Sequence, residues 1–167
     1  MDSSVDPLIQ TLVTFGLQGA GPASTRQIAD AHFQNELAAL LADETDSPST
    51  VSIPSNNLAA LNNNPGNLRF AHQTGAIPGA GGFAQFGTPE AGYQALVNQV
   101  SLDASRGETL GQYITKYAPP SENDTARYIA QASQALEVDA DTPLASLNPD
   151  RVAAFQAYKE SGATVRR

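Results

Sequence analysis

The chain has no cysteine in its 167 residues, which removes disulfides, thiolate nucleophiles and zinc–thiolate centres together. It also lacks tryptophan, and only 7% of its residues are aromatic, so an aromatic-rich binding surface is not expected. There are two histidines, His32 and His72, one in a helical pattern and the other after a short apolar stretch. Both read as solvated surface residues, and a histidine-based metal centre is not expected. Nothing in the sequence implies an organic cofactor. Charged residues make up 16%, the net charge is −8, and Lys and Arg are scattered rather than clustered. That balance disfavours nucleic acid as a partner, because binding to it rests on basic patches that neutralise phosphates. It disfavours anionic membrane surfaces for the same reason. No run approaches the ~20 apolar residues needed to cross a bilayer, so direct membrane insertion is not expected. Met1–Asp6 carries two acids and no base, unlike a secretory leader.

What is present suits one domain with an appendage. Residues 7–18 read as a short apolar helix stopped at Gly19-Ala20-Gly21-Pro22. Ser24 and Gln27 form a capping box for a second helix, with Phe33, Leu37, Leu40 and Leu41 at helical spacing. The stretch from Asp43 to Asn57 is rich in Ser, Thr, Asp and Pro and has no period, which is a linker composition. The expected organisation is therefore an N-terminal helical segment over 1–43, a linker over 44–57 and a main domain over 58–167.

Within the main domain, Leu68–Ala71 and Gly82–Phe86 are strand candidates joined by a glycine-rich stretch, giving one small β-hairpin. Four helical patterns follow. Thr88-Pro89 opens the first, with Tyr93, Leu96, Val97 and Val100 as its apolar stripe. A Thr109/Gln112 capping box opens the second, and Asn123 or Asp124 caps the third. Thr142-Pro143 begins a brief helical turn, and Asn148-Pro149 starts a last helix that ends near Lys159 or Glu160. The fold class is mainly α, an α+β arrangement of helices with one hairpin.

Two polar, turn-forming runs stand out against this pattern. Asn62-Asn63-Asn64-Pro65-Gly66-Asn67-Leu68-Arg69 offers four amides on a backbone that Pro65 and Gly66 force to turn. Tyr117-Ala118-Pro119-Pro120-Ser121-Glu122-Asn123-Asp124-Thr125 leads into a helix bearing Tyr128. Amides that both donate and accept suit sugar hydroxyls and N-acetyl groups, although any one asparagine also serves its own loop backbone. Asp124 reads as a helix cap, and Glu122 as a carboxylate available to a cleft.

These two runs, with Gly82-Phe83-Ala84-Gln85-Phe86 and Thr88-Pro89-Glu90-Ala91-Gly92 between them, resemble a group of phage virion proteins and related bacterial proteins. Members are described as structural proteins or as peptidoglycan-degrading enzymes. The resemblance covers roughly residues 60–162 and leaves out the first 55. The same order is similar to the glucosaminidase and lytic transglycosylase branches of the lysozyme superfamily. It implies a lysozyme-like fold and cleavage of β-1,4 glycan bonds in bacterial peptidoglycan during phage infection. The alternative it implies is a non-catalytic virion structural protein that keeps the fold. It also implies a location in the virion with action in the host cell envelope, and the acidic N-terminal segment, outside the resemblance, would suit docking onto other virion proteins.

Glycosidic cleavage needs an acid that protonates the leaving oxygen. Glu160, in Tyr158-Lys159-Glu160-Ser161-Gly162, is placed at a helix C-terminus, where the dipole favours the neutral carboxyl. If Glu160 is the acid, the lysozyme helix order is circularly permuted, with the catalytic helix last. Glu44, and behind it Glu36, would preserve the usual order of acid before asparagine motif. The residues expected to hold the glycan are Asn63, Asn64, Asn67, Arg69, Phe86, Glu122 and Tyr128. No firm second carboxylate accompanies the acid, which favours lytic transglycosylase chemistry over a retaining lysozyme.

Overall fold

A computed structural model describes residues 50–166, and the expectations for the first two helices, His32, Glu36 and Glu44 lie outside them. The described residues are mainly helical with a small β content. Thr50–Ser52 forms β1 and Leu58–Leu61 forms α1. Ile77–Pro78 (β2) and Ala84–Gln85 (β3) flank a 3-10 turn at Ala80–Gly82. Four longer helices follow: Pro89–Ser105 (α2), Leu110–Tyr117 (α3), Thr125–Leu136 (α4) and Pro149–Ser161 (α5). Thr164–Arg166 closes the order as β4.

The helix starts follow their capping chemistry. Thr88 accepts from the Ala91 N–H with Pro89 at the first helical position of α2. Both halves of the Thr109/Gln112 capping box are made at α3. Of the two candidates at α4, Asp124 is the cap and accepts from the Arg127 N–H. Asn148 caps α5, whose C-terminus ends in a left-handed Gly162 at φ 70°. The Gly162 and Ala163 N–H groups close back on Tyr158 and Ala157, satisfying carbonyls that the helix leaves unpaired.

The core gathers around α5. Val152 through Ala157 are six consecutive buried residues, so this stretch of the helix is enclosed by its neighbours on all sides. It packs on α2, α4 and β4. Leu96 and Val100 of α2, Leu110 and Tyr113 of α3, Ala132 of α4 and Leu144 complete the interior. Each large side chain so buried contributes about 1.5–3 kcal/mol of transfer free energy. No helix among the described residues is long and apolar enough to cross a membrane.

Two expectations need correction. The stretch taken as linker includes β1, which pairs antiparallel with β4 in the register Val51↔Val165. Val51 and Val165 are both buried, and Asn57 caps α1, so residues 50–57 belong to the folded domain. A three-residue strand carries too little alternation to be seen in composition, and it is its partner far along the chain that makes it a strand.

The hairpin is also built differently. Its paired strands are 77–78 and 84–85, while Leu68–Ala71 adds only an isolated bridge between Arg69 and Phe83. The Asn62 amide brackets Ala80 from both sides, accepting from its N–H at 3.0 Å and donating to its carbonyl at 3.0 Å. That clamp, with left-handed Gly81 and Gly82, draws the chain into a tight turn in place of a longer strand.

Candidate active site

The asparagine run is a compact loop pressed onto α2. A Cβ on Gly66 would come within 2.7 Å of Leu96 Cδ2, and one on Gly92 within 1.9 Å of the Asn63 carbonyl. Only glycine at these positions allows the loop and helix to approach so closely. Asn63 and Asn67 both adopt φ 49°, a left-handed conformation that asparagine tolerates better than most residues.

Most of the amides are consumed by the loop itself. Asn64 is fully buried, donates to the carbonyls of Leu68 at 2.9 Å and Ala84 at 2.8 Å, and accepts from the Leu68 N–H at 2.9 Å. Asn63 donates to the Phe86 carbonyl at 3.0 Å. Asn64 therefore braces the loop against the hairpin and is not placed to hold a glycan, and Asn63 does the same at the rim of α2. Phe86 is a core residue at 3% exposure, so its expected contact with substrate gives way to packing. His72 is exposed and tilts against Phe70.

Asn67 is the exception. Its side chain reaches the C-terminus of α5 and donates to the backbone carbonyl of Glu160 at 3.3 Å. Ser161 ties the same two segments together by donating to the Pro65 carbonyl at 2.9 Å, and Asn57 donates to the Ser161 carbonyl at 2.9 Å. The last turn of α5 is thus fixed by three side-chain bonds to segments more than ninety residues earlier in the chain. The loop and the terminal acid, distant in sequence, form one site.

A cleft of about 540 Å³ opens over this junction. Its lining includes Asn67, Arg69, Phe83, Tyr117, Glu122 and Glu160, with Gln99 and Lys116 from α2 and α3. Of the expected glycan-holding residues, Asn67, Arg69 and Glu122 are here. Arg69 is exposed and lies over the Phe83 ring at 4.8 Å, a cation–π contact that makes a flat platform. Glu122 is exposed on the loop before α4.

Glu160 itself is half-buried. Burial pushes its carboxyl above the usual range, against hydrogen bonds from Tyr128 and Asn67 and the nearby Lys159 charge, which favour the ionised form. The helix C-terminus adds to the upward push. Tyr128 is 7% exposed and does not line the cleft, so its expected role as a direct sugar contact is revised. Its hydroxyl instead donates to Glu160 Oε1 at 3.1 Å, fixing the carboxyl rotamer from behind. Its ring is held by Phe155 at 5.7 Å, and the Lys159 ammonium, which donates to Gln131, lies 5.4 Å from the ring.

The residues that sequence reasoning missed are Gln99 and Lys116, which sit on helix surfaces with no local signal. Their cleft position depends on how α2 and α3 pack. No known protein family matches the chain, and no curated protein shows significant similarity to it.

Proposed function

We propose that the domain cleaves β-1,4 glycan bonds of bacterial peptidoglycan, with Glu160 as the general acid. The observation that carries this reading is a half-buried carboxyl with a raised pKa, at a helix C-terminus, opening into a cleft beside an asparagine loop. An acid catalyst must hold its proton near neutral pH and release it to a leaving oxygen within reach. Burial shifts Glu160 toward the first requirement, and its place in the cleft lining serves the second. Tyr128 orients the carboxyl, and Asn67 anchors the turn that carries it. Arg69 on Phe83 offers a platform for a sugar ring at the cleft mouth.

With Glu160 as the acid, this reading makes the site lysozyme-like with the catalytic helix last in the chain, a circular permutation of the usual order. Glu122 is the other carboxylate lining the cleft, and it is exposed and carried on a loop. A retaining hydrolase needs a second carboxylate about 5–5.5 Å from the acid and held rigidly. We therefore favour transglycosylase chemistry, in which Glu160 protonates the leaving oxygen and, as the carboxylate so formed, takes the proton of the substrate's C6 hydroxyl while that oxygen bonds the anomeric carbon. In this reading the protein rides in a phage particle, the segment over 1–43 docks onto other virion proteins, and the enzyme opens the host envelope locally for genome delivery.

The test is clearing of a suspension of purified cell walls. The intact chain should lower the turbidity and the folded Glu160→Gln variant should not. A folded intact chain that leaves the walls unchanged would instead favour a non-catalytic virion structural protein.

A further inference from the structure

The cleft has a second polar centre. Asp103, near the end of α2, is charged, yet its side chain has no exposed surface. Four donors converge on it. Oδ2 accepts from Lys116 Nζ at 2.7 Å, Gln99 Nε2 at 3.1 Å and the Tyr117 hydroxyl at 3.3 Å. Oδ1 accepts from Arg106 at 2.8 Å. Burial alone would raise the Asp103 pKa, but the Lys116 and Gln99 bonds and the Lys116 and Arg106 charges outweigh it, so the carboxyl lies below its ordinary value. Three of the four donors, Gln99, Lys116 and Tyr117, line the same cleft as Glu160.

A buried ion pair is a weak source of stability, because desolvation of the charges offsets their attraction. What this one does provide is geometry. It holds side chains from α2 and α3 in one arrangement along the cleft. Its charges also cancel locally. Lys116 is shared between Asp103 and Glu108, both of whose oxygens lie 3.0 Å away, while Arg106 caps the other Asp103 oxygen. Two carboxylates face two cations.

We propose that Asp103 is a positioning residue that sets Gln99, Lys116 and Tyr117 as a charge-neutral subsite for an uncharged acetamido-sugar unit. This rests on the reading of the cleft as a glycan site and deepens it. The Tyr117 hydroxyl donates its hydrogen bond to Asp103, which leaves the hydroxyl oxygen to accept from a sugar hydroxyl. The half-buried Tyr117 ring, tilted against Tyr113 at 4.8 Å and with the Lys116 ammonium 5.4 Å from its centroid, presents its remaining surface to the cleft. Gln99 keeps its carbonyl as an acceptor and its second N–H as a donor. An anionic stem peptide gains little here, since the Lys116 charge is already met by two carboxylates.

The test uses the full chain carrying Glu160→Gln, so that ligand is not consumed, and titrates it with the tetramer of N-acetylglucosamine by NMR. The tetramer should perturb the Gln99 side-chain amide and the Tyr117 ring. Adding Asp103→Asn should weaken binding about tenfold while the Asn67 side chain still responds. In the otherwise active chain, Asp103→Asn should raise KM about tenfold and leave the pH dependence of kcat where Glu160 sets it. An unchanged affinity, or a response at Asn67 with none at Gln99 and Tyr117, overturns the subsite and leaves the glycan reading standing. A sugar-free stem peptide that perturbs Gln99 and Tyr117 in place of the tetramer overturns it as well. Failure of both tetramer binding and wall clearing removes the glycan reading and the subsite with it. If Asp103→Asn unfolds, the Gln99→Ala/Tyr117→Ala pair is titrated in its place: affinity weakened about tenfold with the Asn67 side chain still responding supports the subsite, and an unchanged affinity overturns it.

Discussion

Removing one hydroxyl, in Tyr128→Phe, isolates the interaction that tunes the proposed acid. The hydroxyl donates to Glu160 Oε1 at 3.1 Å from a nearly buried ring, and the phenylalanine ring fits the same space against Phe155. A hydrogen bond to a charged group contributes about 1.5–3 kcal/mol. The protonated carboxyl retains part of that bond, so the difference between the two protonation states falls near the low end, about 1.4 kcal/mol. That corresponds to about one pKa unit. The bond favours the carboxylate, so its loss moves the Glu160 pKa further upward. A general acid loses activity as pH rises through its pKa, and the alkaline limb of the pH–rate profile should therefore move about one unit higher. Carbon-detected NMR of the Glu160 carboxyl, read beside that profile, measures both quantities. An unchanged or lowered pKa in a folded Tyr128→Phe chain would refute the reasoning, because the hydroxyl would then not be bonding the charged form.

Further outcomes follow from the same geometry. Asn64→Ala removes the partner of the Leu68 N–H and one bond each to the carbonyls of Ala84 and of Leu68, the latter keeping the Ala84 N–H, so urea melts should show a loss of about 2–4 kcal/mol; a loss below ~0.5 kcal/mol would mean that the amide does not brace the loop. Gly→Ala in an open helix stabilises by about 1 kcal/mol, yet Gly92→Ala should destabilise by about 1–3 kcal/mol because its Cβ meets the Asn63 carbonyl. A thermal melt showing a gain in stability would contradict that packing. Glu160 holds its proton more tightly when folded than when unfolded, so its contribution to stability is complete at low pH and is lost as pH rises through the folded pKa. Glu160→Gln avoids that loss, so it should match the parent chain in acid and melt higher at pH 7. A lower melting temperature at pH 7 would contradict the raised pKa.

The helices were legible because their signals are local. Thr88-Pro89, the Thr109/Gln112 box and Asn148-Pro149 start helices where their side chains satisfy orphan N–H groups, and of the stripe of Tyr93, Leu96, Val97 and Val100 all but the half-buried Val97 lie in the core. β1 was not legible, since three residues become a strand only through β4, more than a hundred positions later. The asparagine run stands out in the sequence, but the part each residue plays does not. Composition shows four amides and cannot show that Asn62, Asn63 and Asn64 spend theirs on Ala80, Phe86, Leu68 and Ala84. Only Asn67 of the four lines the cleft, where its side chain reaches the last turn of α5. Tyr128 was singled out by its motif, but whether it would touch sugar or acid depended on the packing of α4 against α5. Asp103 gave no signal at all, since an acid within a helix normally faces water.

Mass spectrometry of purified peptidoglycan after incubation with the chain tests the central claim most directly. Soluble glycan fragments ending in anhydro-muramic acid should appear with the parent chain and be absent with a folded Glu160→Gln variant. Intact walls with the parent chain, or equal release by both, would contradict Glu160 as the acid that breaks the bond.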